Sequence, residues 1–340
     1  MKEFQLIKKY FSNLSKDNPG SFELTDDVFF DRYKKLVISV DTYVEGVHFL
    51  NFDNPDLVIK KILRSSISDI ICKGVKPELY FLSGSGNKRS FSKKNLELIS
   101  NALKSEQKKF KIKLGGGDTT YSSKLSFTFV SVGYSSNIVK RNNGKIGDDI
   151  YVTGELGDSF IGLNILKNKI KLNSFDKKYF IKKYYLPDIQ YKLFKFINKH
   201  ANTSIDLSDG LFSDINKMIY KKNLSFEIDL NKVPISKKLS KLISLKKVKL
   251  ENVVSQGDDY QILFSANKSK SRIINQISKS SKIKITKIGK IISGQKRPLI
   301  IDKKGNKIAQ IYKGFEHQFW TFYCLLYFFL YCPGIIKLTT

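Results

Sequence analysis

Apolar stretches of strand length recur along this chain, and where they meet a loop they repeatedly meet an aspartate. Asp27 stands in ELTDDVFF, Asp41 in VISVDTYVEG, Asp118 in KLGGGDTTYS, and Asp206 with Asp209 in SIDLSDG. Asp69 differs: it lies in SSISDIICKG, beside the apolar stripe of a predicted helix. A carboxylate next to a buried strand is costly unless it is paired, hydrogen-bonded or bound to a metal. A single one is most simply a helix or turn cap. Five with this habit, and Asp69 beside a helix stripe, ask for a fold that brings them to a shared partner.

The sequence between them alternates strand and helix. KKLVISVD (34–41) reads as a buried strand ending in an acid. Asn54-Pro55 starts a helix, with Asn as cap and Pro in the first turn. Val58, Ile59, Ile62, Leu63, Ile67, Ile70 and Ile71 then follow helical spacing, until Gly74 and Pro77 stop it. ELYFLSGSG is a strand and loop, SKKNLELISNALKSEQKKF an amphipathic helix, KIKLGGGDTT a strand running into a glycine loop, and KLSFTFVSVGY an alternating strand. NNGKIGDD is a turn-rich joint, after which IYVTGELGDSFIGLNIL restarts as strand, glycine turn and helix.

The second half continues with a helix at 188–199, then TSIDLSDGLFSDI as strand, turn and helix. SFEIDL is a strand, QGDDYQILFSA a turn into a strand, and 268–279 a helix before strands at 283–292 and 298–301. This pattern predicts an α/β (α+β) fold of mixed sheets packed with helices. A chain of 340 residues favours two domains. We place them at 1–140 and 141–317, with 318–340 a hydrophobic extension of no assigned role. Its run QFWTFYCLLYFFLYC is shorter than the roughly 20 apolar residues that span a bilayer, so no stable membrane insertion is expected.

Net charge +29 invites a nucleic-acid reading. Yet only Arg32, Arg64, Arg89, Arg141, Arg272 and Arg297 carry the guanidinium fork that phosphate and base recognition favours. The lysines are spread along the chain, as on solvated faces, so no nucleic-acid partner is expected. Cys72, Cys324 and Cys332 have no metal or disulfide spacing, which points to a reducing, cytoplasmic setting. Zn²⁺ would want His or Cys, and His48, His200 and His317 show no ligand spacing. Oxygen-only ligands suit Mg²⁺, held by a few carboxylates with substrate phosphates. There is no G-x-x-x-x-G-K-[ST] loop, so phosphates would be held mainly through metal.

DDVFF, VDTYVEGVHFL, SDIICKG, LGGGDTT, YVTGELGDS, SIDLSDGLFSDI, GDDYQILF and KGFEHQF resemble, in order and spacing, the motifs of the thiamine-monophosphate kinase family. That family lies within the aminoimidazole ribonucleotide synthetase (PurM-like) superfamily. The resemblance implies the two-domain PurM-like fold and ATP-dependent phosphorylation of thiamine monophosphate to the diphosphate. It further implies several Mg²⁺ ions, no covalent enzyme intermediate, ATP in the cleft between domains, and a homodimer built through the first domain. Carried over by position, Asp27, Ser39, Asp41, Asp69, Asp118, Asp206 and Asp209 would be metal ligands. Gly117, Asp118, Arg141 and Ser208 match nucleotide contacts, and His48, Asp258 and Phe315 match thiamine-holding positions. Taken singly, His48 and Phe315 read as structural, and His200 and His317 as structural or surface residues.

The chain departs from the family pattern in places. Val40 stands where a hydroxyl residue is usual, Thr25 where a Gly precedes the first acid pair, and GDDYQ where GEDYE is usual. The competing readings are another ATP-using enzyme of the superfamily or a basic nucleic-acid-binding protein. Selenophosphate synthetase is disfavoured because the first cysteine, Cys72, lies in a helix rather than near the N-terminus.

Overall fold

The computed structural model describes residues 3–220, 222–295, 297–302, 305–308, 314 and 317. A helical turn, α1 (Glu3–Leu6), leads through short helical segments to strands β1 (Phe29–Asp31) and β2 (Leu36–Val44). Then follow α2 (Pro55–Cys72), β3 (Pro77–Gly86), α3 (Lys93–Phe110), β4 (Lys113–Tyr121) and β5 (Ser126–Tyr134). The second half holds β6 (Asp149–Thr153), α4 (Asp158–Leu166), α5 (Ser174–Tyr185), α6 (Phe194–His200), β7 (Thr203–Asp206), α7 (Leu211–Ile219) and β8 (Leu224–Asp229). It closes with α8 (Lys237–Ser244), α9 (Leu250–Val254), β9 (Ile262–Ala266), α10 (Ser271–Ser281), β10 (Ile285–Ser293), β11 (Leu299–Ile301) and β12 (Lys307–Ile308).

The strands form two mixed sheets, as the alternating pattern predicts. The first has the order β1-β2-β5-β3-β4 and the second β12-β11-β8-β10-β6-β9-β7. Pairing is antiparallel except for β3 with β4 and β11 with β8. One expectation needs correction: GGGDTT is not a loop after a strand. It continues β4 as the edge strand of the first sheet, its residues all exposed.

Helix α2 lies at the centre. Val58, Ile59, Ile62, Leu63, Ile67, Ile70 and Ile71 are all at most 1 % exposed, each stabilising by about 1.5–3 kcal/mol relative to exposure. Its polar residues Lys61, Arg64, Ser66 and Ser68 are buried too. A helix covered on all sides touches partners all round. One partner is the first sheet, where the Ser66 and Ser131 hydroxyls bond at 2.8 Å. The others lie in the second half: Arg64 donates to the Pro187 carbonyl at 3.1 Å, and Lys73 to that of Ser204 at 3.0 Å. α2 is thus the shared wall between the two sheets. No helix among the described residues is long and apolar enough to cross a membrane.

Candidate metal and substrate site

The pleat of β2 sorts its side chains. Ser39 is buried beneath the sheet against α2, while Val40, one residue on, is 61 % exposed on the other face. Asp41, two residues after Ser39, returns to the α2 side. There Ser39 Oγ donates to Asp69 Oδ2 at 2.6 Å. From the second half, β7 delivers Asp206, whose Oδ2 accepts from Ser68 Oγ at 2.5 Å. Carboxylate oxygens of Asp27, Asp69 and Asp206 lie within 4.8 Å of one another. Burial first, then the neighbouring Asp206, raises Asp41 to about 6. Burial followed by Asp41 and Asp206 pushes Asp69 well above the usual carboxylate range. Burial raises Asp206 against the opposing pull of Ser68 and Arg141. Hard oxygen donors crowded past what their hydroxyl partners can neutralise suit a divalent cation such as Mg²⁺.

A few ångströms away, the acid pair Asp26–Asp27 has partners of a different kind. Lys73 Nζ reaches Asp26 Oδ1 at 2.8 Å and Asp27 Oδ2 at 2.6 Å. Arg141 donates from its backbone N to Asp26 at 2.8 Å, and its guanidinium pairs with Asp27. Burial opposes the charge on Lys73, but Asp26 beside it holds the ammonium above its ordinary range. Thr25, which replaces the family's glycine, takes an ordinary φ of −116°. The left-handed residues of this loop are Phe22, Glu23 and Leu24 instead.

The SIDLSDG turn packs backbone to backbone against the GDDYQ turn. Asp258 N donates to Ser208 O at 3.0 Å and Tyr260 N to Leu207 O at 2.8 Å. A Cβ on Gly257 would sit 1.8 Å from Ser208 O, and one on Gly210 2.2 Å from Ser255 O, so both glycines are demanded by close approach. Asp214 holds the turn, accepting the Asp209 and Gly210 amides at 3.0 Å each, and burial raises it to about 7. Asp209 pairs with Lys217.

Beyond this turn lies a second cluster. Asp258, at the left-handed φ of +72°, meets fully buried Lys61 at 2.6 Å and the Tyr260 hydroxyl at 3.0 Å. Lys61 Nζ sits 4.1 Å above the Tyr184 ring. His48 Nδ1 accepts from Val44 N at 3.0 Å. Burial, then His317, lowers the His48 pKa, while Asp258 pulls it up. His317 stacks at a tilt, its ring 5.3 Å from that of His48; the sequence reading set it aside as a structural or surface residue. Phe315 lies outside the described residues, but Gly314, one residue before it, reaches Ser213 and Asp209.

Gln261, the altered last residue of GDDYQ, and the unaltered Asp259 have structural duties. Asp259 accepts the Gly157 amide through both oxygens, at 3.0 and 2.9 Å. Gln261, buried, accepts from Thr153 at 3.0 Å and donates to the Asp188 carbonyl at 2.9 Å. A neutral amide meets those partners without burying a charge.

Gly117 and Asp118 are not brought to this place within one chain. Asp41 pairs across the sheet with Phe129, Leu82 and Gly117 in turn, so β4 is three strands away, about 14 Å. Asp118 shares a row with Ser83, Thr128 and Thr42. The Thr42–Thr128 hydroxyl bond lies on the exposed face, opposite α2. Two contributors, Lys73 and Lys61, were missed by sequence reasoning. A lysine in an apolar helix stripe or at its end was the available signal.

Comparison with known proteins agrees with this arrangement. The family models "AIR synthase related protein, N-terminal domain" and "C-terminal domain" match residues 25–135 and 145–302. Thiamine-monophosphate kinase of Buchnera aphidicola subsp. Schizaphis graminum is 34 % identical over 93 % of this chain and 98 % of its own length. That of Aquifex aeolicus is 30 % identical over 84 % and 88 %. Among solved structures, AaThiL complexed with AMPPCP and TMP superposes with a TM-score of 0.78 at 28 % identity, covering 93 % of this chain and 97 % of that one. With a PurM-like fold, both halves matched and near full-length similarity, the chain belongs to the thiamine-monophosphate kinase family.

Proposed function

We propose that this protein transfers the γ-phosphoryl group of ATP directly, in line, to the phosphate of thiamine monophosphate, making the diphosphate. The observation that carries the proposal is the meeting of Asp27 and Asp69, from the first half, with Asp206 from the second. Asp41, Ser39 and Asp209 flank them, and this set, with Asp118, would hold Mg²⁺. Bound there, the metal would offset repulsion between the two phosphate groups and the charge spread over the transferring phosphoryl.

The chain's own residues position the partners. Asp206 ends β7 and Asp209 lies in the turn after it, at the seam between the halves, where Ser208 and Arg141 can reach nucleotide phosphate. Arg141 is suited to this because its fork can exchange Asp27 for a phosphate edge. Asp258, fixed by Lys61 and Tyr260, offers a carboxylate to the substrate's heterocycle. His48, kept neutral by burial, offers a ring face, with Phe315 as the expected stacking partner. An acceptor that is already a phosphate oxygen needs no strong general base, so no residue here acts as nucleophile.

The working unit is a homodimer formed through the outer face of the first sheet. Val40, Phe81 and Tyr134 leave that face open and apolar at 38–61 % exposure. Asp118 and Gly117 stand on that sheet's edge, so they would complete the partner's nucleotide site. We divide the chain at 1–140 and 141–317, a reading supported by the separate sheets β1–β5 and β6–β12. ATP and Mg²⁺ supply suits the cytoplasm as its compartment. Incubating purified protein with ATP, Mg²⁺ and thiamine monophosphate should give the diphosphate on chromatography. Its absence under saturating conditions would remove the proposal.

A further inference from the structure

The two acid corners differ in how their charge is met. At Asp69 and Asp206 the neutral partners are the serine hydroxyls of Ser39 and Ser68. At Asp26 and Asp27 both carboxylates already face protein cations. An ammonium has three donors and no acceptor. Lys73 Nζ has three acceptors: Asp26 Oδ1 at 2.8 Å, Asp27 Oδ2 at 2.6 Å and the Ser204 carbonyl at 3.0 Å. Its side chain is 0 % exposed. No donor is left over, and water has no route to replace it.

Its mounting is rigid. Lys73 caps the C-terminal end of α2, where the helix dipole favours a cation. Its own carbonyl accepts from Val139 N at 3.0 Å, and the preceding Cys72 carbonyl accepts from Ser204 Oγ at 2.5 Å. Arg141 is a different case: it belongs to the joint between the halves and carries a long fork that can turn to phosphate. If it turns, Lys73 remains with the acid pair.

The geometry points to Lys73 as a built-in counter-cation that permanently fills the Asp26–Asp27 corner, so that this chain binds one divalent ion fewer than the same site would with an uncharged residue at position 73. This rests on the metal-dependent reading of the site. Mg²⁺ would seek carboxylate oxygens at about 2.0–2.1 Å, at the place where Nζ already sits within 2.6–2.8 Å of two of them. Both cannot occupy it. Asp27 then serves as the bridge: its Oδ2 pairs with Lys73, and one of its carboxylate oxygens lies within 4.8 Å of those of Asp69 and Asp206. The ammonium also ties the acid loop to β7 through the Ser204 carbonyl.

The test is to count bound Mn²⁺ by electron paramagnetic resonance in full-length wild type, Lys73→Met and Lys73→Arg, each with a non-hydrolysable ATP analogue. Thermal melting is followed with EDTA and with Mg²⁺. Lys73→Met should bind about one more Mn²⁺ per chain and show a larger Mg²⁺-induced rise in melting temperature. Lys73→Arg should keep the wild-type count. If Lys73→Met does not survive EDTA, it is purified in Mg²⁺ and the count is read after exchange into Mn²⁺. Equal counts and equal Mg²⁺ shifts in wild type and Lys73→Met would overturn the role of Lys73 alone. Wild type binding no Mn²⁺ beyond that held by free nucleotide would overturn the metal reading itself, and this inference with it.

Discussion

The two faces of the first sheet are made by the same strands and do opposite things. The inner face of β2 offers Ser39, Asp41 and Tyr43 to α2 and the acid cluster, and Ser39 and Tyr43 are buried. The outer face offers Val40 and Thr42, and with its neighbours adds Phe81 and Thr128 to an open surface. A single-residue alternation thus separates the groups that hold charge from those that wait for a partner. This explains why Val40 is tolerated where the family pattern has a hydroxyl residue. Its side chain points away from the acid cluster, and only its backbone stays near.

The inner face should give the largest effect. Asp206→Asn removes a carboxylate from the convergence point without changing its shape, and should lower kcat by about 10³-fold, or ~4 kcal/mol, with unchanged circular dichroism. Near-normal turnover at saturating Mg²⁺ would end the inner-face reading.

On the outer face, Val40→Lys places a charge into the proposed contact. It should weaken the dimer by about 10–100-fold, seen by sedimentation as monomer at concentrations where wild type is paired. A variant that stays monomer-free would mean that this face is not the interface.

The two faces can also be set against each other. Asp41→Asn and Asp118→Asn should each be inactive alone. If Asp118 serves the partner's site, mixing and re-annealing them leaves one intact site in each mixed dimer. About a quarter of wild-type activity should then return, by the mass-action share of mixed dimers. No recovery despite verified exchange would place Asp118 in its own chain's site or outside catalysis.

The smallest effect is in stability against pH without metal. Folded Asp41 holds its proton up to about pH 6, against an ordinary value of 3.8. Between these values the folded state binds more protons than the unfolded, so stability falls as pH rises through this window. In EDTA, wild type should therefore melt below Asp41→Asn at pH 7, by roughly 1–2 kcal/mol after allowing for its partial exposure. The gap should close near pH 4. A gap independent of pH would show that Asp41 is not crowded by its neighbours.

Local pattern was enough for much of this. The spacing from Val58 to Ile71 is the stripe of a helix, and that helix runs from Pro55 to Cys72. Motif order gave the family. GGGDTT misled because glycines are usually punctuation, yet an edge strand with one neighbour tolerates them. Gln261 read as a departure from the family pattern. Its partner Thr153, and the Gly157 partner of nearby Asp259, lie about a hundred residues away, so nothing local marks either residue as structural. Lys73 was hidden among so many lysines. Its distinction is the place to which its ammonium is carried, which no neighbouring residue encodes.

The sequence by itself determined the alternation of strand and helix and the kinship that its motifs imply, because periodicity and motif spacing are properties of neighbours along the chain. It set the acids at strand ends, whereas Asp41 and Asp118 lie within β2 and β4. Only the tertiary structure decided which acids share charge with one another, which are already answered by lysine and arginine, and which face of the sheet each occupies. Coulomb interaction depends on separation in space, and here the deciding pairs join residues from opposite halves of the polypeptide.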